Sequence, residues 1–150
     1  MERFKGSFPT PIGVMTVTLE SEKIVEIQFG GHATKRRQGP TLYHKACEQI
    51  VEYAHGQRRH FELPFSLRGT PFQKKVWKAM ARIPFGKRCS YKDLARIVGS
   101  PKAFRAVGGA CHRNPLPLII PCHRVVGADG ALTGFAGGIG LKKRLLRLEE

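Results

Sequence analysis

The sequence predicts an α+β protein, in which a small N-terminal α/β domain with an antiparallel sheet is followed by a mostly helical C-terminal domain containing a helix-turn-helix. Three observations carry this. Apolar and polar residues alternate with period two only near the N-terminus, helical periodicity takes over later, and charge is shared unequally between the halves. The 150 residues suffice for one domain or two small ones, and 41% hydrophobic with 25% charged residues is the composition of a folded domain. No stretch approaches the roughly 20 apolar residues of a membrane span, so neither a transmembrane nor a disordered chain is expected.

Gly13-Val14-Met15-Thr16-Val17-Thr18-Leu19 alternates like a half-buried strand, Ile24 to Phe29 does so again, and the polar Glu20 to Lys23 between them predict a hairpin. The basic, glycine-bearing stretch 30–39 is expected to be a loop. From Thr41 to Ala54, the residues Leu42, Ala46, Cys47, Ile50 and Tyr53 recur every three or four positions before Gly56, which predicts a helix with one buried face. Residues 57–69, turn-rich and with Pro64 inside, predict a linker. A boundary near residue 68 then gives two domains, 1–67 and 68–150.

Thr70-Pro71-Phe72-Gln73 combines an N-cap Thr, Pro at the first helical position and Gln at the third, a capping box. It predicts a helix from Pro71 to about Ile83, ended by Pro84 and Gly86. Ser90-Tyr91-Lys92-Asp93 predicts a second cap and a short helix with Leu94, Ala95 and Val98 inward and Gly99 as its stop. Ser100-Pro101 predicts the start of another. Two helices joined by a tight glycine turn predict a helix-turn-helix over about 90–112, with Pro101 to His112 as the recognition helix. Its one long polar side chain, Arg105, stands among Ala103, Phe104, Ala106, Val107, Gly108 and Gly109. Such bareness lets a helix approach a narrow groove closely, and it equally suits tight packing against neighbouring helices.

Prolines at 115, 117 and 121 predict that residues 114–126 form an extended, buried approach to Cys122. A turn is expected at 127–130, a backbone able to pass close to a flat ligand at Gly134 to Gly138, and a last helix from Leu141 to Leu148.

Charge and cysteines narrow the chemistry. Residues 68–150 hold seventeen Lys and Arg against four acids, whereas residues 1–67 hold nine against seven. A cationic excess this local is the footprint of a nucleic-acid surface, with solubility charge as the alternative. The cysteines at 47, 89, 111 and 122 form no CxxC pair, so no structural zinc is expected, nor any other cofactor. No apolar run follows Met1 to Lys5, so a cytoplasmic, nucleoid-associated protein (nuclear in a eukaryote) with free thiols is expected. Cys122 is either a core residue or, with His123 and Arg124 beside it, a nucleophile. A thiol needs a base or positive surroundings to become thiolate at neutral pH. In an extended chain His123 points away from Cys122, so a water relay would be required. Glu149 could orient the imidazole, or be merely solvated.

The segment Pro121-Cys122-His123-Arg124-Val125-Val126, preceded by Asn114-Pro115 and followed by Thr133-Gly134-Phe135-Ala136-Gly137-Gly138, closely resembles the active-site signature of O6-alkylguanine-DNA alkyltransferases. The resemblance runs from Thr70 to Glu149, through Val76-Trp77, Ile83-Pro84-Phe85-Gly86, Ser90-Tyr91 and Arg105-Ala106-Val107-Gly108; before residue 68 only Thr10-Pro11-Ile12-Gly13 and the strand order are similar. It implies a monomer, without membrane attachment, that binds double-stranded DNA containing O6-alkylguanine in the minor groove, flips the damaged base and moves its alkyl group to Cys122. It further implies that Arg105 enters the base stack, that Tyr91 assists flipping and proton transfer, that Asn114 braces the active-site segment, and that His123 and Glu149 generate the thiolate through water. Ala103, Phe104, Ala106, Gly108, Gly109 and Arg113 are implied at the DNA, and Pro117, Val125, Phe135 and Ala136 around the base. Ala136 stands where relatives often carry Ser. Some relatives bind zinc in the N-terminal domain; with Cys47 alone in that half, a metal site is not expected here.

A thioether has no electrophilic carbonyl for water to attack, so transfer to a cysteine is expected to consume the protein, one alkyl group per chain. Three other functions compete. A non-catalytic binder of alkylated DNA would not need Cys122, a Cys-His acyl hydrolase would leave the basic helix-turn-helix without a purpose, and a transcriptional regulator would need more readout than Arg105 provides.

Overall fold

The computed structural model describes residues 3–33 and 38–150, so Met1, Glu2 and positions 34–37 of the expected basic loop lie outside the described residues. The chain divides into two compact units, Met1–Leu67 and Arg68–Glu150.

In the first unit β1 (Arg3–Phe8), β2 (Met15–Glu20) and β3 (Lys23–Phe29) form an antiparallel meander in that order. The β2–β3 connection turns on Ser21 and Glu22, both at positive φ (51° and 61°), the backbone of a two-residue type I′ hairpin that matches strand twist. Met15, Val17 and Leu19 are buried along β2. Helix α1 (Thr41–Ala54) sets Tyr43, Ala46, Ile50 and Tyr53 into the core. Tyr43 packs edge-on against Phe4 at 4.9 Å and over Gly6, where a Cβ would meet its ring. The expected buried positions Leu42 and Cys47 are only half-buried, because the stripe is centred one residue further round.

Strand β1 was not foreseen, although Phe4 and Phe8 frame a period-two pattern interrupted by Gly6. The expected linker also runs differently. Ile24 N–H donates to Pro64 O at 2.9 Å and Ser66 N–H to Ile24 O at 3.0 Å, so Phe65 bridges β3 in parallel and the segment extends the sheet edge. Pro64 fits there because an edge position uses its carbonyl and needs no N–H.

The second unit opens with α2 (Pro71–Met80), capped as expected: Gln73 N–H donates to Thr70 Oγ1 at 3.1 Å, and Thr70 N–H to Gln73 Oε1 at 3.0 Å. The helix stops three residues before Ile83. Arg82 and Ile83 donate to Ala79 and Met80 in three-residue turns, because the residue preceding Pro84 cannot stay helical. Ser90 caps α3 (Tyr91–Ile97) through Asp93 N–H at 3.0 Å. Gly99 (φ +78°) turns the chain, and α4 (Phe104–His112) follows. Pro101 lies in the turn instead of opening the helix: Ala103 N–H bonds Ser100 O, and Ala103 becomes an N-cap without a side-chain acceptor.

Val76, Trp77 and Met80 of α2 pack with Leu94 and Ala95 of α3 and with Val107, Ala110 and Cys111 of α4. Trp77 Nε1–H donates to Ala110 O at 2.8 Å in that core. Strands β4 (Cys89–Ser90) and β5 (Val125–Val126) form a short parallel pair, and α5 (Ile139–Leu148) ends the fold. Among the described residues no helix is long and apolar enough to cross a membrane.

Candidate active site

Residues 114–124 are looped, not extended. Ile120 N–H bonds Leu116 O at 2.8 Å, Leu118 sits at φ +75°, and Cys122–Arg124 make one turn of 3-10 helix. Three prolines fix φ near −65°, which serves turns as readily as extended chain. The expectation that Cys122 and His123 diverge survives on other grounds, because successive 3-10 residues project about 120° apart. Asn114 holds this loop to the end of α4. Its Nδ2 donates to Ile120 O at 2.8 Å and its Oδ1 accepts from Leu116 N–H at 2.9 Å.

Behind the thiol lies a buried cluster. His123 Nε2 and Glu149 Oε2 are 2.7 Å apart, with both side chains shielded from solvent. Arg124 grips the same carboxylate twice, Nε to Oε1 at 2.8 Å and Nη2 to Oε2 at 3.0 Å, while its Nη1 donates to Ile83 O at 2.6 Å. Gly86 N–H adds a longer contact to Oε1 at 3.3 Å. Arg124 and Glu149 neutralise one another, so a neutral imidazole leaves the cluster without net charge. Burial accordingly holds His123 below its ordinary pKa, against the pull of Glu149.

Lys142 is buried as well. Its Nζ donates to Val125 O at 2.6 Å and Thr133 O at 2.9 Å, and lies 5.8 Å from the centre of the Tyr91 ring. Burial pushes the Cys122 thiol above its usual range, while the Asn114 side chain and the Lys142 charge pull it down. Burial likewise lowers Lys142, raises Tyr91, and pushes the Cys111 thiol up to about 12. Burial thus favours the protonated thiol, while the Asn114 side chain and the Lys142 charge favour the thiolate.

In front of the thiol, Tyr91, Cys111, His112, Asn114, Pro117, Gly134, Phe135 and Ala136 join Cys122 around a void of about 20 Å³. That suffices for a water molecule, which needs roughly 10–15 Å³ on the same measure. Val125, expected here, does not line the void; its side chain is buried and its carbonyl serves Lys142. The candidate DNA residues Phe104, Arg105 and Ala106 are exposed on α4, Arg113 is exposed just beyond it, and Ala103, Gly108 and Gly109 are half-buried. A Cβ on Gly109 would meet nothing within 4 Å, and one on Gly108 would touch the Tyr91 ring at 3.9 Å.

In the sequence Arg124 stands out only as a cation beside Cys122, and Lys142, Cys111 and His112 carry no signal of a role at the site. Arg124 was at hand within the signature, but the partner that defines it lies 25 residues away. Lys142, in a helix rich in cations, offered no sign that it alone turns inward.

The description "6-O-methylguanine DNA methyltransferase, DNA binding domain" belongs to a family model that matches residues 71–150. A constitutive methylated-DNA–protein-cysteine methyltransferase of Bacillus subtilis is 44% identical over 152 aligned residues, covering 94% of this chain and 92% of its own. A protein with the same name from Methanosarcina barkeri is 44% identical across 88% of this chain and 80% of its own. Among solved structures, Mycobacterium tuberculosis OGT in complex with DNA superposes with a TM-score of 0.88 at 38% identity, over 97% of this chain and 91% of the other.

Proposed function

The chain belongs to the 6-O-methylguanine DNA methyltransferase family, and from that premise we propose how its own residues perform the repair. It binds DNA and transfers an alkyl group from the base to a protein cysteine. We assign the acceptor to Cys122, the bound form to duplex DNA held by its minor groove, and the acting species to a monomer working in the cytoplasm at the nucleoid.

Arg105, the long cation on the bare face of α4, fills the gap left as the O6-alkylguanine turns out of the stack. The base enters beside Pro117, Phe135 and Ala136. His123 Nε2 is engaged by Glu149, which makes Nδ1 the nitrogen that serves the thiol through one water. The thiol proton passes by that route to the imidazole. Sulfur then attacks the alkyl carbon, the S–C bond forms as the C–O6 bond breaks, and Tyr91 delivers a proton to the departing guanine. Lys142 favours the thiolate electrostatically, and Asn114 holds the loop and reaches the sulfur. The product is a thioether and an intact guanine.

The observation that carries this reading is Cys122 at the void, followed in the same 3-10 turn by His123, whose ring is paired with Glu149 out of reach of solvent. Incubation with excess duplex O6-methylguanine, followed by intact-mass and peptide analysis, is expected to show one methyl group on Cys122 and product levelling at one per chain. A mass that never changes would mean a binder without chemistry. Continued turnover would mean a hydrolase.

A further inference from the structure

The mouth of the pocket carries a residue that the transfer itself does not use. His112 ends α4, is exposed, and stands two helical turns from Arg105 on the same face, about 10 Å along the axis. Its ring lies over Gly134 so closely that a Cβ there would overlap it, and Gly134 takes φ +28°. Both residues line the void at Cys122, about 20 Å³, whereas pockets that enclose a small organic ligand run to about 300 Å³ or more. A purine reaches the sulfur only after part of this lining moves. Asn114 is fixed by two hydrogen bonds, and Cys111 and Pro117 are buried. His112 is held by neither: it makes no hydrogen bond or ion pair among the described residues.

We propose that His112 is a gate that selects alkylguanine carried on a DNA backbone over the free alkylated base. Packed on Gly134 it closes the mouth. Turned outward along the Arg105 face, its ring N–H donates to a phosphate of the extruded nucleotide, and that contact keeps the mouth open. A free base brings no phosphate, so it meets the closed position and must displace the ring unaided. The selectivity thus comes from a residue at the boundary between the DNA-facing surface of α4 and the alkyl-transfer pocket.

This inference rests on the alkyl-transfer reading above. Wild-type protein alkylated once on Cys122 secures that reading separately, and the gate is then tested by His112→Ala. Single-turnover rates are measured with duplex O6-methylguanine below saturation and with free O6-benzylguanine, each followed as alkyl mass on Cys122. The variant is expected to react with the free base about five- to tenfold faster and with the duplex about two- to fivefold slower, so the duplex-to-free-base rate ratio falls at least about tenfold. A ratio that falls by less than about tenfold, or a free-base rate that does not rise, overturns the gate, including the case in which both rates fall together, as a merely structural role would produce.

Discussion

The two sides of Cys122 are built on opposite principles. Behind the sulfur, His123, Arg124 and Glu149 exclude water and satisfy one another through three contacts of 2.7 to 3.0 Å, and two more, at 2.6 and 3.3 Å, anchor them to Ile83 and Gly86. In front, Gly134 and Ala136 are exposed, Phe135 is half-buried, and the void holds little more than a water molecule. The chemistry is preorganised and the access is not. If Cys122 is the acceptor proposed above, this division is economical of error: a thiol whose burial favours the protonated form, behind a narrow void, is kept from reacting before the right base arrives.

The contrast can be broken from either side. The largest effect is expected at the sulfur itself. Cys122→Ala should yield no alkylated protein while duplex affinity stays within about twofold, since the residues proposed to meet DNA lie on α4 and at its two ends, not at Cys122. A loss of affinity along with transfer would mean that the two functions are not separable in this way. Next comes the rear cluster. Glu149→Gln leaves the Arg124 charge buried without its counterion, and removal of one partner of such a pair typically costs about 3–5 kcal/mol. Transfer should slow by about 10²-fold, the lower range for loss of general base assistance. An unchanged urea midpoint would show the cluster to be less well shielded than its geometry indicates.

Arg105→Ala sharpens the comparison from the front. Filling the vacated stack matters only when there is a stack, so saturating duplex should react about tenfold or more slowly, about 1.4 kcal/mol or more of lost flipping support, while free O6-benzylguanine keeps its rate. Equal slowing on both substrates would reassign Arg105 to the pocket or the fold. The smallest effect concerns pH. His123 is held below its unfolded pKa near 6.5, so above that value both states carry a neutral ring and the full stability is present. As pH falls below 6.5 the unfolded state takes up a proton that the folded state resists, and stability declines. The urea midpoint should therefore drop between pH 7 and 5, and less so in His123→Gln. Parallel pH profiles would show that His123 is not the group responsible.

Legibility in the sequence followed the range of the interactions. The Thr70–Gln73 capping box and the Ser90 cap are complete within four residues, and both are legible in the sequence. The α4 start is ambiguous in the sequence because Pro101 suits a turn and a helix N-terminus equally well, and only the Ser100–Ala103 bond decides between them. The pairing of β4 with β5 joins two residues to two others 36 positions away, too little pattern to register. The inward turn of Arg124 and Lys142 is not legible for a related reason. Cations are usually exposed, and what turns these inward is a carboxylate in one case and two carbonyls in the other, supplied by distant chain. The resemblance supplied roles for Cys122, His123 and Glu149, but the bidentate grip that fixes Glu149 had to come from geometry.

Trp77 is the chain's single tryptophan, and its indole is tied to Ala110, one residue before Cys111 at the pocket wall. Its emission is therefore an intrinsic optical probe of the second unit alone, placed in the core beside the C-terminal part of α4. A shift of α4 by a fraction of an ångström would alter that hydrogen bond and the colour of the emitted light. DNA docking and alkylation could then be timed separately in a stopped-flow instrument, on the unlabelled native protein.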